Sequence, residues 1–227
     1  MFIESVKKEA EVIIEQIYQD DFIQGVIRGD IDKEAIRHYL QADSRYLNEF
    51  AKIYALLIPK LNDDEDVRFL LEQIDFVMNG EVSAHYTMAD YVGEAYQDII
   101  KNGAWYPSSD HYIKHMYYNA YHYSDASFTI CAMAPCPYVY QQLALKITER
   151  HDLTGNPLKD WVDFYTKNMD ELMHHLDRWV DDFAQRATDE EKEILRKNFL
   201  ESCVHERNFF QMSVDQEKWS FEGEQYV

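Results

Sequence analysis

The chain has 227 residues, long enough for one domain with a sizeable core, and only 7 glycines and 5 prolines interrupt it, which disfavours a turn-rich all-β fold and disorder alike. Its 42 acidic residues against 22 basic ones leave a formal charge of −20. Nucleic-acid phosphates and anionic membrane surfaces are repelled by such a charge, so neither is an expected partner.

The N-terminal stretch MFIESVKKEAEVIIEQ carries acids from residue 4 onward and no unbroken apolar run, so it does not read as a signal peptide; no segment reaches membrane-spanning length, and a cytoplasmic protein is expected. Apolar residues then recur at helical spacing: Val6, Ala10, Ile13 and Ile17; Ile36, Tyr39, Leu40, Leu47, Phe50 and Leu57; Leu70, Ile74 and Val77. The second set predicts a helix over 32–59. Further on, Asn156-Pro157 after Gly155 predicts a helix stop followed by an N-cap with proline at the first helical position. Thr188 with Glu191 predicts a capping box that opens the last helix. Short polar loops at 61–66, 102–110, 151–156 and 186–190 separate these segments. The expectation is an all-α bundle of roughly seven or eight helices, a single domain over 1–227, with core-lining residues drawn from several helices.

Two acids fall on apolar stripes. Asp43 follows Tyr39 and Leu40 by three or four positions and precedes Tyr46 and Leu47 by the same spacing, while Glu206 lies three after Cys203 and seven after Phe199. A carboxylate in apolar surroundings costs several kcal/mol unless it is paired or protonated, so inward acids are candidates for proton transfer or ligand binding as well as for structural pairing. Tyrosine is abundant at 17 residues. Most are expected to be core or interface filler, but Tyr46 lies three after Asp43, Tyr140 four after Cys136, and Tyr165 four after Trp161. Aromatic faces and hydroxyls beside inward carboxylates suit a flat heteroaromatic ligand.

The three cysteines, Cys131, Cys136 and Cys203, are odd in number and lack a CxxC spacing, which argues against a disulfide framework and a zinc site. Cys136 stands between Pro135 and Pro137, neither of which can donate a backbone hydrogen bond, so the helix is expected to open beside that thiol. A small buried hydrophobe at a kink and a catalytic thiol both fit. Cys131 and Cys203 read as core. Glu81 with His85, Glu201 with His205, and Glu171 with His174 have the spacings of metal ligands in helical bundles. However, Glu201 and His205 lie off the face carrying Glu206, and Glu171 flanks its stripe. Only Glu81 and His85 follow an apolar run, which a core pair explains as well, so no metal site is expected.

Taken in order, FIQGVIRGDI (22–31), HYLQADSRYLNEFAK (38–52), GEVSAH, HYIKHMY (111–117), APCPYVY (134–140), WVDFY (161–165) and HERNFF (205–210) resemble the TenA/thiaminase II family over nearly the whole chain. The resemblance implies a bundle related to haem oxygenase, assembled as a homotetramer, with a small-molecule substrate and no required cofactor. It implies hydrolysis of 4-amino-5-aminomethyl-2-methylpyrimidine to the hydroxymethylpyrimidine in thiamine salvage, with slower cleavage of thiamine itself. Carried over by motif, Cys136 is the nucleophile that adds to the pyrimidine ring, Glu206 manages the proton of a ring nitrogen, and Asp43 holds the aminopyrimidine edge. Tyr112 and Tyr165 become polar walls; Tyr46, Tyr140 and Phe209 sandwich or line the ring. The chain departs from the family pattern at Ala42, where glutamine is common, and at Pro137 and His205, where aromatics are common.

Overall fold

The computed structural model describes residues 1–80, 82–101 and 105–220. Among them the regular structure is helical throughout, in twelve α-helices. The first three are α1 (Phe2–Gln19), α2 (Asp21–Arg28) and α3 (Lys33–Leu57), and α3 runs on into a single 3-10 turn. Next come α4 (Asp64–Asp75), a π-helical turn (Phe76–Gly80), α5 (Val82–Val92) and α6 (Tyr96–Ile100). The rest are α7 (Pro107–His122), α8 (Ala126–Met133), α9 (Pro135–Arg150), α10 (Lys159–Asn168), α11 (Asp170–Ala184) and α12 (Asp189–Val214).

Helices outnumber the seven or eight expected because long apolar runs break at single residues. Asp20, in extended conformation, divides α1 from α2, Ala134 divides α8 from α9, and Met169 divides α10 from α11. The α3 segment matches its predicted span, with the Asp32 carboxylate accepting from Glu34 N at 3.0 Å as its cap. The Thr188–Glu191 capping box also forms. Asn156-Pro157 behaves differently: α10 begins at Lys159, after a turn. The Asn156 side chain accepts from Leu158 N and donates to the carbonyls of Val26 and Ile27, at 2.8 to 2.9 Å. It ties that turn to the end of α2 instead of capping α10.

The two longest helices, α3 and α12, cross at the centre, and α12 also packs on α1, α7, α8 and α9. Its polar residues are used for docking: Asn198 donates to Phe128 O and to Asn119 Oδ1, and Ser202 donates to Ala132 O at 2.7 Å. These bonds hold α8 against α12 just before the break at Ala134. Pro135 and Pro137 fall in the first turn of the new helix, where backbone N–H groups lack intrahelical partners anyway, so the two prolines cost α9 little.

Candidate active site

Five helices and the helix break converge on Cys136. The thiol sits in the first turn of α9, where the positive end of the helix dipole favours negative charge. It is 9% exposed, and none of the three cysteines is in a disulfide. From α3 come Asp43, 4% exposed, and Tyr46; from α12 come Glu206, 2% exposed, and Phe209. Tyr112 arrives from α7, Tyr140 from the turn of α9 after Cys136, and Tyr165 from α10, all buried.

Ring contacts join these groups. Tyr46 packs on Tyr112 at 5.4 Å between centroids and on Phe209 at 5.3 Å, and Tyr140 packs on Tyr165 at 4.7 Å. Tyr46 and Tyr112 lack partners of good hydrogen-bond geometry for their hydroxyls, yet both hydroxyls face the candidate reacting groups. Burial, then Cys136, Tyr112 and Glu206, pushes Tyr46 well above its ordinary pKa. Burial, then Glu206 and Cys136, does the same to Tyr112. Tyr140 is raised by burial and then by Tyr39, Asp43, Glu206 and Tyr165. These phenols stay neutral and keep their protons as hydrogen-bond donors at neutral pH. Cys136, Glu206, Asp43, Tyr46, Tyr112, Tyr140, Tyr165 and Phe209 therefore fall in one neighbourhood.

A narrow cavity reaches this cluster at Cys136, Tyr140 and Tyr165. Cys136, Pro137, Tyr140 and Tyr165 form its floor, Phe50 and Tyr54 of α3 one side, and Phe76, Val77, Met169 and Leu172 the outer wall. Its lining is mainly aromatic and apolar, the kind of surface that packs on a flat heteroaromatic ring.

Asp43 is held by a residue that the sequence suggested for another purpose. His85 Nε2 meets Asp43 Oδ2 at 2.7 Å, and both side chains are buried. This buried dyad replaces the metal-ligand reading of His85, while Glu81 lies outside the described residues. Among the described residues no group of His, Cys, Asp and Glu has the arrangement of a metal site. Tyr39, which the sequence showed only as a stripe residue, joins its hydroxyl to that of Tyr140 at 2.8 Å and so braces a wall of the pocket. Its position four residues before Asp43 was the available signal.

The departures have distinct fates. Ala42 is fully buried, and Pro137 lines the cavity. His205, expected off the working face, is instead buried and stacked on Tyr112, with centroids 5.1 Å apart and an interplanar angle of 15°. The correction has a simple cause: α12 is packed on several sides, so more than one of its faces points inward. The imidazole supplies a flat ring behind Tyr112.

The profile of the TENA/THI-4/PQQC family matches residues 7–216. An aminopyrimidine aminohydrolase from Staphylococcus saprophyticus is 51% identical over 224 residues, which are 98% of each chain. A TenA homologue from P. horikoshii OT3 superposes with a TM-score of 0.78 at 19% identity, over 95% of this chain and 99% of that one. A Shewanella denitrificans domain with a heme oxygenase-like fold superposes with a TM-score of 0.70 at 13% identity, over 94% and 92% of the two chains. The architecture is thus the all-α, haem oxygenase-like bundle, built around a buried Cys-Glu-Tyr cluster. Within that class, the chain belongs to the TENA/THI-4/PQQC family.

Proposed function

We propose that this protein is an aminopyrimidine aminohydrolase of thiamine salvage. It converts 4-amino-5-aminomethyl-2-methylpyrimidine and water to the hydroxymethylpyrimidine and ammonia, and cleaves thiamine more slowly at the same methylene. The observation that carries this reading is the placement of Cys136 on the floor of an aromatic-lined cavity, with the buried Tyr46 and Tyr112 each interacting with both the thiol and Glu206. Strong identity to the staphylococcal aminopyrimidine aminohydrolase over the full length supports it.

The chemistry follows from the needs of an aromatic ring that does not readily exchange a methylene substituent directly. The Cys136 thiolate forms a C–S bond to the ring, and the displaced electron pair collects a proton at a ring nitrogen, which Glu206 supplies. The ring nitrogen then returns its electrons as the methylene C–N bond breaks, and ammonia leaves with the proton it needs. Water adds its oxygen to the exposed methylene and gives up a proton to Glu206. Finally the C–S bond breaks, the thiolate is restored, the ring nitrogen releases its proton to solvent, where it meets the free ammonia, and the ring regains aromaticity. Asp43, held by His85, accepts from the amino edge of the pyrimidine. Tyr46, Tyr112, Tyr140, Tyr165 and Phe209 confine the ring.

The test is direct. Purified protein incubated with the aminomethylpyrimidine should release ammonia in step with hydroxymethylpyrimidine, and Cys136→Ala should release none; full turnover by that variant refutes the mechanism. The same reading places a homotetramer in the cytoplasm. Light scattering after gel filtration checks the assembly, and fractionation of the producing cells checks the compartment.

A further inference from the structure

The outer wall of the cavity is thin. Phe76 and Val77, at the start of the π-helical turn, are among the residues that separate the Cys136 cavity from clefts on both sides. Phe76 also lines a cleft between α4 and α11 whose other walls include Glu72, Gln73, Glu171 and Leu172. Gln73, Phe76 and Leu172 line both spaces, so the two are adjoining compartments divided by side chains. On the opposite side, Val77 and Leu47 are shared with a third cleft bounded by α6.

The position of the Phe76 ring is set locally. A π-helical turn inserts a residue into the helix and turns side chains out of α-helical register. The ring folds back over Gly80, where an added Cβ would lie only 2.7 Å from Phe76 Cδ2. It is further held by Phe164 of α10, at 6.2 Å and 14°. Phe76 is only half-buried, whereas the floor of the cavity is closed.

We propose that Phe76 determines which leaving groups the Cys136 site accepts, and that the α4–α11 cleft beyond it holds the substituent that is to leave when that substituent is a nitrogen-linked cationic ring, which departs as the neutral ring, instead of an amine. This inference rests on the activity proposed above. With a pyrimidine ring over Cys136, as the proposed activity requires, an amine substituent needs little further room. A second heteroaromatic ring needs more, and the adjoining compartment supplies it past the partition of Gln73, Phe76 and Leu172, in which Phe76 is the one aromatic ring. Glu72 and Glu171, both exposed on that cleft, favour a positively charged ring there.

The test compares kcat/KM for thiamine, whose thiazolium substituent is cationic until the C–N bond breaks, with kcat/KM for the aminomethylpyrimidine, in wild type and in Phe76→Leu, Phe76→Ala and Phe76→Trp. The thiamine-to-aminopyrimidine ratio should rise in the order Trp, wild type, Leu, Ala, with Ala about tenfold or more above wild type, the range a pocket contact of this size commands. Phe76→Leu preserves most of the packing, so a fold defect in the alanine variant still leaves the trend measurable, with thermal melting as the control. In Glu171→Gln, KM for thiamine should rise about threefold at low salt and return toward wild type at high salt. A ratio flat across folded Phe76 variants overturns the role of Phe76, and a salt-independent KM in Glu171→Gln overturns the role of the cleft. Wild type that releases no ammonia refutes the underlying activity instead, and this inference with it.

Discussion

The two sides of Cys136 differ in kind. The inner wall, the cluster of α3, α7 and α12 that packs behind the cavity, carries Asp43, Tyr46, Tyr112 and Glu206, all deeply buried, with Tyr46 packed on Tyr112 and Asp43 hydrogen-bonded to His85. The outer wall, from the π-helical turn with α10 and α11, is mostly apolar, and its key ring is half-exposed. Buried polar groups in a low-dielectric setting interact strongly and tolerate little displacement. An apolar partition at the surface adjusts at small cost. On the proposed reading, the inner wall sets what reaction occurs, and the outer wall sets what is admitted to it.

The largest break in this contrast comes at the floor. Cys136→Ala should reduce turnover about a thousandfold or more, because the covalent route is gone. Cys131 and Cys203 are more deeply buried than Cys136, burial pushes their thiols up, and they serve packing; Cys131 donates to Leu195 O at 3.1 Å. Alanine there should leave kcat intact and lower stability by roughly 1–2 kcal/mol. Equal kinetic losses at all three sites would dissolve the distinction. Next in size, Glu206→Gln retains the shape of the side chain but cannot deliver a proton, and kcat should fall about a hundredfold to ten-thousandfold with KM little changed. A variant that loses affinity and retains kcat would make Glu206 a binding group only.

A smaller effect is expected one step away from the ligand. His85 fixes the Asp43 carboxylate and is a positioning residue. His85→Gln should raise KM about tenfold while kcat stays within about threefold, the size of a lost hydrogen bond to a charged group. His85→Asn, with a shorter reach, should recover less than His85→Gln.

Much of the inner wall was legible in the sequence, for a physical reason: helical periodicity marks which face is apolar, and a carboxylate on that face stands out, as Asp43 and Glu206 do. The prolines flanking Cys136 were legible too, although their consequence was not; they open a new helix at no great cost instead of kinking one. The Asp43–His85 pair was out of reach because its members are 42 positions apart and only the packing of α5 on α3 brings them together. The outer wall was hidden for another reason. A π-helical turn breaks the very periodicity that a sequence reading relies on, and Val77 read simply as the next residue of a stripe. His205 was misjudged because one stripe describes a helix with one buried face, and α12 has several.

His205 offers the smallest and most specific test. Its pKa is lowered to about 4 by burial, with His115 and His111 adding to the effect. The groups that face it are His111, His115 and Tyr112 of α7, with Glu201 one turn earlier on α12 reaching toward His115. The folded protein keeps this ring neutral until the pH nears 4, while the unfolded chain protonates it near the ordinary value of 6.5. Protons then bind preferentially to the unfolded state, so the stability that His205 contributes is complete above pH 6.5 and is lost as the pH falls through about 4. His205→Phe preserves the flat support behind Tyr112 and removes the titration. It should match wild type in kcat and melting temperature at pH 8, then melt about 2–4 °C higher than wild type at pH 5. His205→Ala, lacking the ring, should lower kcat at every pH, because Tyr112 loses its backing beside Glu206. If the phenylalanine variant gains nothing on acidification, the ring is not the proton-sensitive part of this wall. If the alanine variant turns over normally, Tyr112 is positioned by its contacts with Tyr46 alone.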